Sequence, residues 1–469
     1  MERGLFGALV LLLIWVPIPL GSNRPWAWAL LEVAVMAILA AWSLLWAIGR
    51  VRASEALVRA WPALAVLAAW LAHVGLTIVP LPAPWIELLS PESARMQRLT
   101  DAIGIVRESM TLSVDPAASR GFLLKSIAYT SAFVLVLALA NSRARIRALT
   151  HALVYAAVVQ AAYAILMHLG DATSEHFGTV IHHGPRASGT YVNPNHLAGY
   201  LEVTLAIGIG LMIAGLSDRR SEGWRKAVRH LLEWMLSPRM MVRLALCVLV
   251  VALTATHSRM GNAAFFAALL VTGLVGIALS RHATRNTVIL LASLVAIDLA
   301  ILGSWFGIER VAQRIEQTTV GDVRQREEPA EHALAIVRDY PVFGAGPGSF
   351  YGTFPRYRPE TITEFFDYTH NDFVQVAAET GILGLGLLGL LVAMTLAAAL
   401  RAQWQRRDPL MRGLSFACLM GVTSILIHSW VDFNLQIPAN ATLFMVLLAL
   451  GWISLHHDRR GAEMPRLRQ

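Results

Sequence analysis

The sequence predicts an all-α polytopic membrane protein of about twelve transmembrane helices, and three observations predict it. Hydrophobic residues fill 56% of the 469 positions and charged residues only 15%, against about 25% charged in an ordinary soluble domain. The apolar residues gather into runs of about 20, the length a helix needs to cross the hydrocarbon core. Lys and Arg collect in alternate loops, as the positive-inside rule demands.

In chain order the spans are expected at 4–20, 26–48, 58–79, 121–140, 148–168, 195–216, 241–256, 261–280, 287–306, 380–400, 411–432 and 437–455. The first resembles a signal peptide in length. No small-residue cleavage site follows it, however, and Pro17, Pro19 and Asn23-Arg24-Pro25 lead straight into the next run, so a retained helix is expected. With Met1 inside, the inner loops carry Arg50, Arg52 and Arg59, then Arg143, Arg145 and Arg147, then Arg219 to Arg229. Arg281 and Arg285 follow, then Arg401 to Arg412, then Arg459 to Arg468. Both termini are therefore expected on the cytoplasmic side. The net charge of +8 is a topology signal, and no nucleic-acid partner is expected. Cys247 and Cys418 both fall inside spans, which implies no disulfide framework.

The chain divides into spans one to nine (1–306), a long outer loop region (307–379), and spans ten to twelve with a tail (380–469). Within the first part, about 80–120 lies outside and reads as an interfacial stretch on the membrane surface. In the loop region, Ala330, Ala333, Leu334 and Val337 predict a helix over 324–339, ended at Tyr340-Pro341. Gly344-Ala-Gly346-Pro-Gly348 follows. Its spacing is not that of a dinucleotide-binding fingerprint and no strand–helix unit surrounds it. A tight turn packing backbone against the membrane domain is expected instead.

Three arginines break the charge pattern by lying outside: Arg24, Arg186 and Arg259. A guanidinium beside a lipid surface is a natural clamp for a phosphate. Arg186 precedes Ser188-Gly189-Thr-Tyr-Val-Asn193-Pro194-Asn195, where Pro194 marks a helix start that favours an anion. A capped helix start with a snorkelling Arg is the competing reading. His182 and His183 lack a further ligand at metal-binding spacing, and no metal is expected. Arg259 sits in the short turn Thr256-His257-Ser258-Arg259-Met260-Gly261, close to the hydrocarbon boundary, where a cation is a functional candidate. The alternative is a structural ion pair.

His370 is the candidate for proton transfer, because an imidazole is the usual base near neutral pH. Asn371 and Asp372 beside it are candidates for orienting its ring, and Glu379 returns the segment to the membrane surface. His428 and Asp432 share a helix face at i,i+4 and serve either a cavity or the stability of the bundle. Glu32, Glu202 and Asp298 lie within spans and are expected to face the bundle interior, with roles left open.

These residues, in this order, resemble the O-antigen ligase superfamily of bacterial envelope proteins, which also takes in Wzy-type polysaccharide polymerases. The resemblance runs through Asn23-Arg24-Pro25-Trp26, Arg186 with Ser188-Gly189 and Asn193-Pro194-Asn195, Ser258-Arg259, Pro341-x-Phe-Gly344-x-Gly346-x-Gly348-x-Phe350, His370-Asn371 and Glu379-x-Gly381. It implies a metal-independent glycosyltransferase architecture called GT-C, with twelve spans and a long periplasmic loop between spans nine and ten. It implies location in the bacterial inner membrane with the site on the periplasmic face, and no cofactor. The implied donor is a glycan on undecaprenyl diphosphate, and the implied acceptor is lipid A-core or another glycan. Arg186 and Arg259, with Arg24, would hold the diphosphate, His370 would serve the acceptor, and Asn193 and Asn195 would support them. The stretch between Gly348 and His370 is expanded relative to the family's pattern. Two rivals stand beside ligation: polymerisation of lipid-linked repeat units, and transport of a lipid or glycan. The second predicts two pseudo-symmetric halves, and no such internal repeat is present.

Overall fold

The computed structural model describes residues 1–99, 108–215, 238–279, 292–293, 296, 320–360, 362 and 365–457, with backbone alone at 238–239 and 320–328. It is an all-α bundle. The helices are α1 (Glu2–Trp15), α2 (Pro25–Ala47), α3 (Glu55–Arg59), α4 (Trp61–Thr77), α5 (Ala83–Leu89), α6 (Pro91–Arg98), α7 (Pro116–Leu139) and α8 (Arg143–Leu169). Then come α9 (Pro194–Gly215), α10 (Pro238–Ala255), α11 (Arg259–Leu279), α12 (Val320–Asp339), α13 (Phe350–Thr353), α14 (Asp372–Gln405), α15 (Pro409–His428) and α16 (Pro438–His456). Among the described residues, α2, α7, α8, α9, α11, α14, α15 and α16 are long and apolar enough to cross a membrane. Helix α4 and Met240–Ala255 of α10 are shorter apolar helices. The ninth expected span, 287–306, and Asp298 lie outside the described residues but for three isolated positions.

Boundaries differ from expectation where backbone chemistry intervenes. Helix α1 is only 14 residues, because Pro17 and Pro19 cannot continue it. The expected third span is two helices, since Pro62 occupies the first turn of α4 and Ala60 between them is not helical. The expected tenth span begins eight residues early, at Asp372, capped by Asn371, and is broken at Gly381 (φ 65°, ψ −175°).

Helix α9 is the post around which the rest is arranged. It is buried along most of its length and packs most heavily on α15. Gly210 and Gly413 bring the two backbones into direct contact, and a Cβ on either would collide with the other's carbonyl. Small residues at such a crossing let helices approach closely where lipid offers no hydrophobic drive.

The bundle has two unlike ends. At the basic end Arg145 pairs with Glu2 (2.8 Å) and Arg143 with Asp408. Among the described residues, both short ladders lie at the loop end. There α5 and α6 are closed by a two-residue antiparallel ladder, β1 (Leu81–Pro82) with β2 (Ser109–Met110). A hairpin absent from the sequence reading, β3 (Thr173–His176) with β4 (Thr179–His182), follows α8. Its turn residues Phe177 and Gly178 both have positive φ, as a two-residue hairpin turn requires. The glycine turn packs on the break in α14 as expected: the Ala345 and Gly346 N–H groups donate to the Ala378 and Glu379 carbonyls (2.9 and 3.0 Å), and Ile382 N–H donates to Pro341 O (2.9 Å). His73 of α4 bonds the Thr380 carbonyl freed by the break (3.0 Å).

Candidate functional site at the loop end

Among the described residues, two bonds hold Arg186. Its Nε donates to the Thr256 carbonyl at the end of α10 (3.0 Å) and its Nη2 to Asn195 Oδ1 in the first turn of α9 (2.5 Å). The neighbouring Ala187 N–H donates to Ala255 O (2.9 Å), so the loop is stitched to α10 at this point. Arg259 is the first residue of α11, three positions after Thr256, and is exposed. Ser258 caps that helix, its Oγ accepting from Gly261 N–H (3.2 Å). The α9, α10 and α11 ends thus bring Arg186, Asn195 and Arg259 to one junction. Asn193 caps α9, its Oδ1 accepting from Asn195 N–H (2.9 Å).

His370 joins this junction through an aromatic hub. Its ring meets Phe433 edge-on (4.9 Å between centroids), and the opposite neighbours of Phe433 are His196 (4.6 Å) and the stacked Tyr368 (4.6 Å). His196 follows Asn195 directly, and Asp432 Oδ1 lies 3.4 Å from its Nε2. One turn of α9 therefore carries the ligand of Arg186 on one residue and the contact toward His370 on the next.

Strain marks the same places. Non-glycine residues with positive φ include Leu20 and Ser22 just before Arg24, His257 just before Ser258-Arg259, and His370 itself (φ 56°). Such conformations cost about 1–3 kcal/mol each and persist where the surroundings impose them, often at functional sites.

Other expected residues have different duties. Asn371 does not orient His370: its Oδ1 accepts from the Phe373 and Val374 N–H groups (3.0 and 3.1 Å) as the cap of α14, and its Nδ2 donates to Trp430 O (2.9 Å). Asp372 is turned to the α15–α16 connection, accepting from Ser429 Oγ, Leu435 N–H and Gln436 Nε2 (2.8, 3.1 and 3.1 Å). Glu379 accepts from Phe350 N–H (3.1 Å) and braces the glycine turn. His428 and Asp432 are not each other's partners. His428 Nδ1 bonds Glu202 Oε1 (2.7 Å), whose second oxygen accepts from Ser424 Oγ (2.6 Å), while Asp432 faces His196. Arg24 reaches the hairpin, donating to Thr179 Oγ1 (3.1 Å) beside a Trp26–Phe177 ring contact.

The paired histidines diverge. His182 lies against Thr173 (3.1 Å), whereas buried His183 sits between Ser174 and Ser188 (2.6 and 3.4 Å). Burial, and then the nearby His176, hold the His183 pKa below its ordinary value of 6.5. Residues that the sequence reading left out of the site are His196, Tyr368 and Phe433. His196 directly follows the motif that ends at Asn195, but nothing local announces that Phe433 will bridge it to His370.

No curated protein matches the chain. Residues 244–389, the stretch that holds Ser258-Arg259, the glycine turn and His370, match the family model described as O-antigen ligase.

Proposed function

We propose that the protein is an inverting, metal-independent glycosyltransferase that moves a glycan from undecaprenyl diphosphate to an acceptor hydroxyl at the loop end of the bundle, on the periplasmic face of the inner membrane. The observation that carries this reading is the junction of α9, α10 and α11. It gathers Arg186 and Arg259 at the loop end and is joined through His196 and Phe433 to His370. The family match supports ligase- or polymerase-type activity.

The chemistry asks little else of the protein. A diphosphate is a good leaving group, so catalysis consists of positioning and of stabilising the charge that develops as the bond breaks. Two guanidinium groups supply positive charge directly, with geometry suited to phosphate oxygens. The acceptor oxygen attacks the anomeric carbon from the face opposite the diphosphate. The carbon–phosphate oxygen bond breaks, the new glycosidic bond forms, and the hydroxyl proton passes to His370. In-line displacement inverts the anomeric configuration.

The test is reconstitution in liposomes with an undecaprenyl-diphosphate glycan, with and without lipid A-core, products being resolved on a gel. Ligation predicts transfer only when acceptor is present, with at least about a hundredfold loss in Arg259→Ala and in His370→Ala, the size expected for a lost transition-state donor or a lost general base. A ladder of lengthening glycan without lipid A-core would make the protein a polymerase. Full activity in both variants would refute the assignment.

A further inference from the structure

A second polar cluster lies between α2 and α7. Lys125 of α7 places its Nζ 3.8 Å over the Trp28 ring. One turn along α2 from Trp28 is Glu32, only 8% exposed, and the two charges lie within electrostatic reach of each other. One turn along α7 from Lys125 is Tyr129, which is coupled to both Glu32 and Tyr368. Tyr368 stacks on Phe433, the ring that contacts His370.

What sets these groups apart is what they do not bond. The side chains of Glu32, Lys125, Tyr129 and Tyr368 make no hydrogen bond to any described residue, and no carboxylate oxygen among the described residues lies within 4.0 Å of Lys125 Nζ. Buried polar groups in proteins are almost always hydrogen-bonded, and an unmet one costs about 1–3 kcal/mol. Buried Glu32 and the half-buried Lys125, Tyr129 and Tyr368, from three segments and gathered beside an indole face, form an open polar constellation suited to a polar guest. Its chemistry is specific. A carboxylate and an ammonium side by side accept from and donate to hydroxyl groups, and an aromatic plane covers the apolar face of a ring. A phosphate fits poorly, because Glu32 and Glu379 both bear on Lys125.

We infer that Trp28, Glu32, Lys125, Tyr129 and Tyr368 form a saccharide subsite for the acceptor, linked to His370 through the ring contact of Tyr368 with Phe433. The assignment rests on the glycosyltransferase reading and deepens it. In-line attack then needs the acceptor hydroxyl and the diphosphate on opposite faces of the anomeric carbon, with His370 beside the hydroxyl.

The test separates binding from transfer. Full-length protein in detergent is titrated calorimetrically with deacylated lipopolysaccharide core oligosaccharide and, in a parallel arm, with inorganic phosphate. The oligosaccharide is expected to bind wild type and His370→Ala alike, and at least tenfold more weakly to Glu32→Gln, Lys125→Met and Tyr129→Phe. Tyr129→Phe removes one oxygen and keeps the ring, so it guards against misfolding in the charge variants. In the transfer assay the same three variants should raise the acceptor KM and leave the donor KM unchanged. Undiminished oligosaccharide binding in all three variants, no binding by wild type, or phosphate competing for the same groups would overturn the subsite. Loss of transfer in wild type with oligosaccharide binding intact would instead overturn the glycosyltransferase reading and leave the subsite standing.

Discussion

Asn195 controls how much of the charge on Arg186 is available to a ligand. Its amide oxygen accepts from Nη2 without carrying charge, so this bond orients the guanidinium without neutralising it. Asn195→Asp should invert that balance: the carboxylate forms a charge-assisted pair worth about 1.5–3 kcal/mol and competes with the diphosphate. The donor KM is expected to rise at least about tenfold in Asn195→Asp, with a smaller rise in Asn195→Ala; equal effects would show that Asn195 only orients. At this scale the sequence was legible where a residue broke a pattern. Arg186 and Arg259 stood out as cations in the wrong loops, and His370 as an imidazole in a polar run. It was illegible where partners come from distant helices. His428 and Asp432 are four residues apart and read as a pair, yet each crosses to α9, to Glu202 and His196. Lys125 went unnoticed although it lies inside the expected span 121–140, where a cation is itself a signal.

Among the elements, α14 shows how the outer segment is fastened. The break at Gly381 has φ 65° and ψ −175°, a region essentially confined to glycine. The segment Pro341–Gly346 fills the gap with backbone bonds, and a Cβ on Gly381 would run into the Val342 carbonyl. Gly381→Ala should therefore destabilise the protein by about 2 kcal/mol or more, read as a lowered Tm in detergent together with faster proteolysis after Asp339. An unchanged Tm would mean the break is not held by this contact. The glycine-rich turn was readable because its spacing excludes a nucleotide loop. The early start of α14 was not, since Asp372-Phe-Val-Gln-Val is too polar to count as a span although it is capped as a helix. The β3–β4 hairpin escaped because its strands are four residues each with little apolar alternation.

For the molecule as a whole, the charge asymmetry and the two ends agree. Arg143 and Arg145 lie at the end opposite the junction, which the positive-inside rule predicts to be the cytoplasmic one. Single cysteines at exposed Val180 in the hairpin and Arg407 at the basic end, in a background with Cys247 and Cys418 replaced by Ser, test this directly. A membrane-impermeant maleimide applied to intact spheroplasts should label Val180→Cys and spare Arg407→Cys; the reverse pattern would put the candidate site on the cytoplasmic side. The all-α, membrane-spanning class followed readily from hydropathy because length and apolarity suffice to mark a span. Which helix stands at the centre did not, because α9 is no more apolar than α2 and only packing distinguishes them.

The contact between α9 and α15 also orders events during synthesis. Chains emerge from the N-terminus forward, and about 200 residues separate Gly210 from its partner Gly413. Glu202 likewise waits for Ser424 and His428, and His196 for Asp432 and Phe433. A nascent chain stopped before α15 would hold both arginines with their central helix uncovered on the side meant for Gly413. The arginine junction can form early, but its connection to the histidine arrives only with the last helices to enter the membrane, so an incompletely inserted chain is an inactive one.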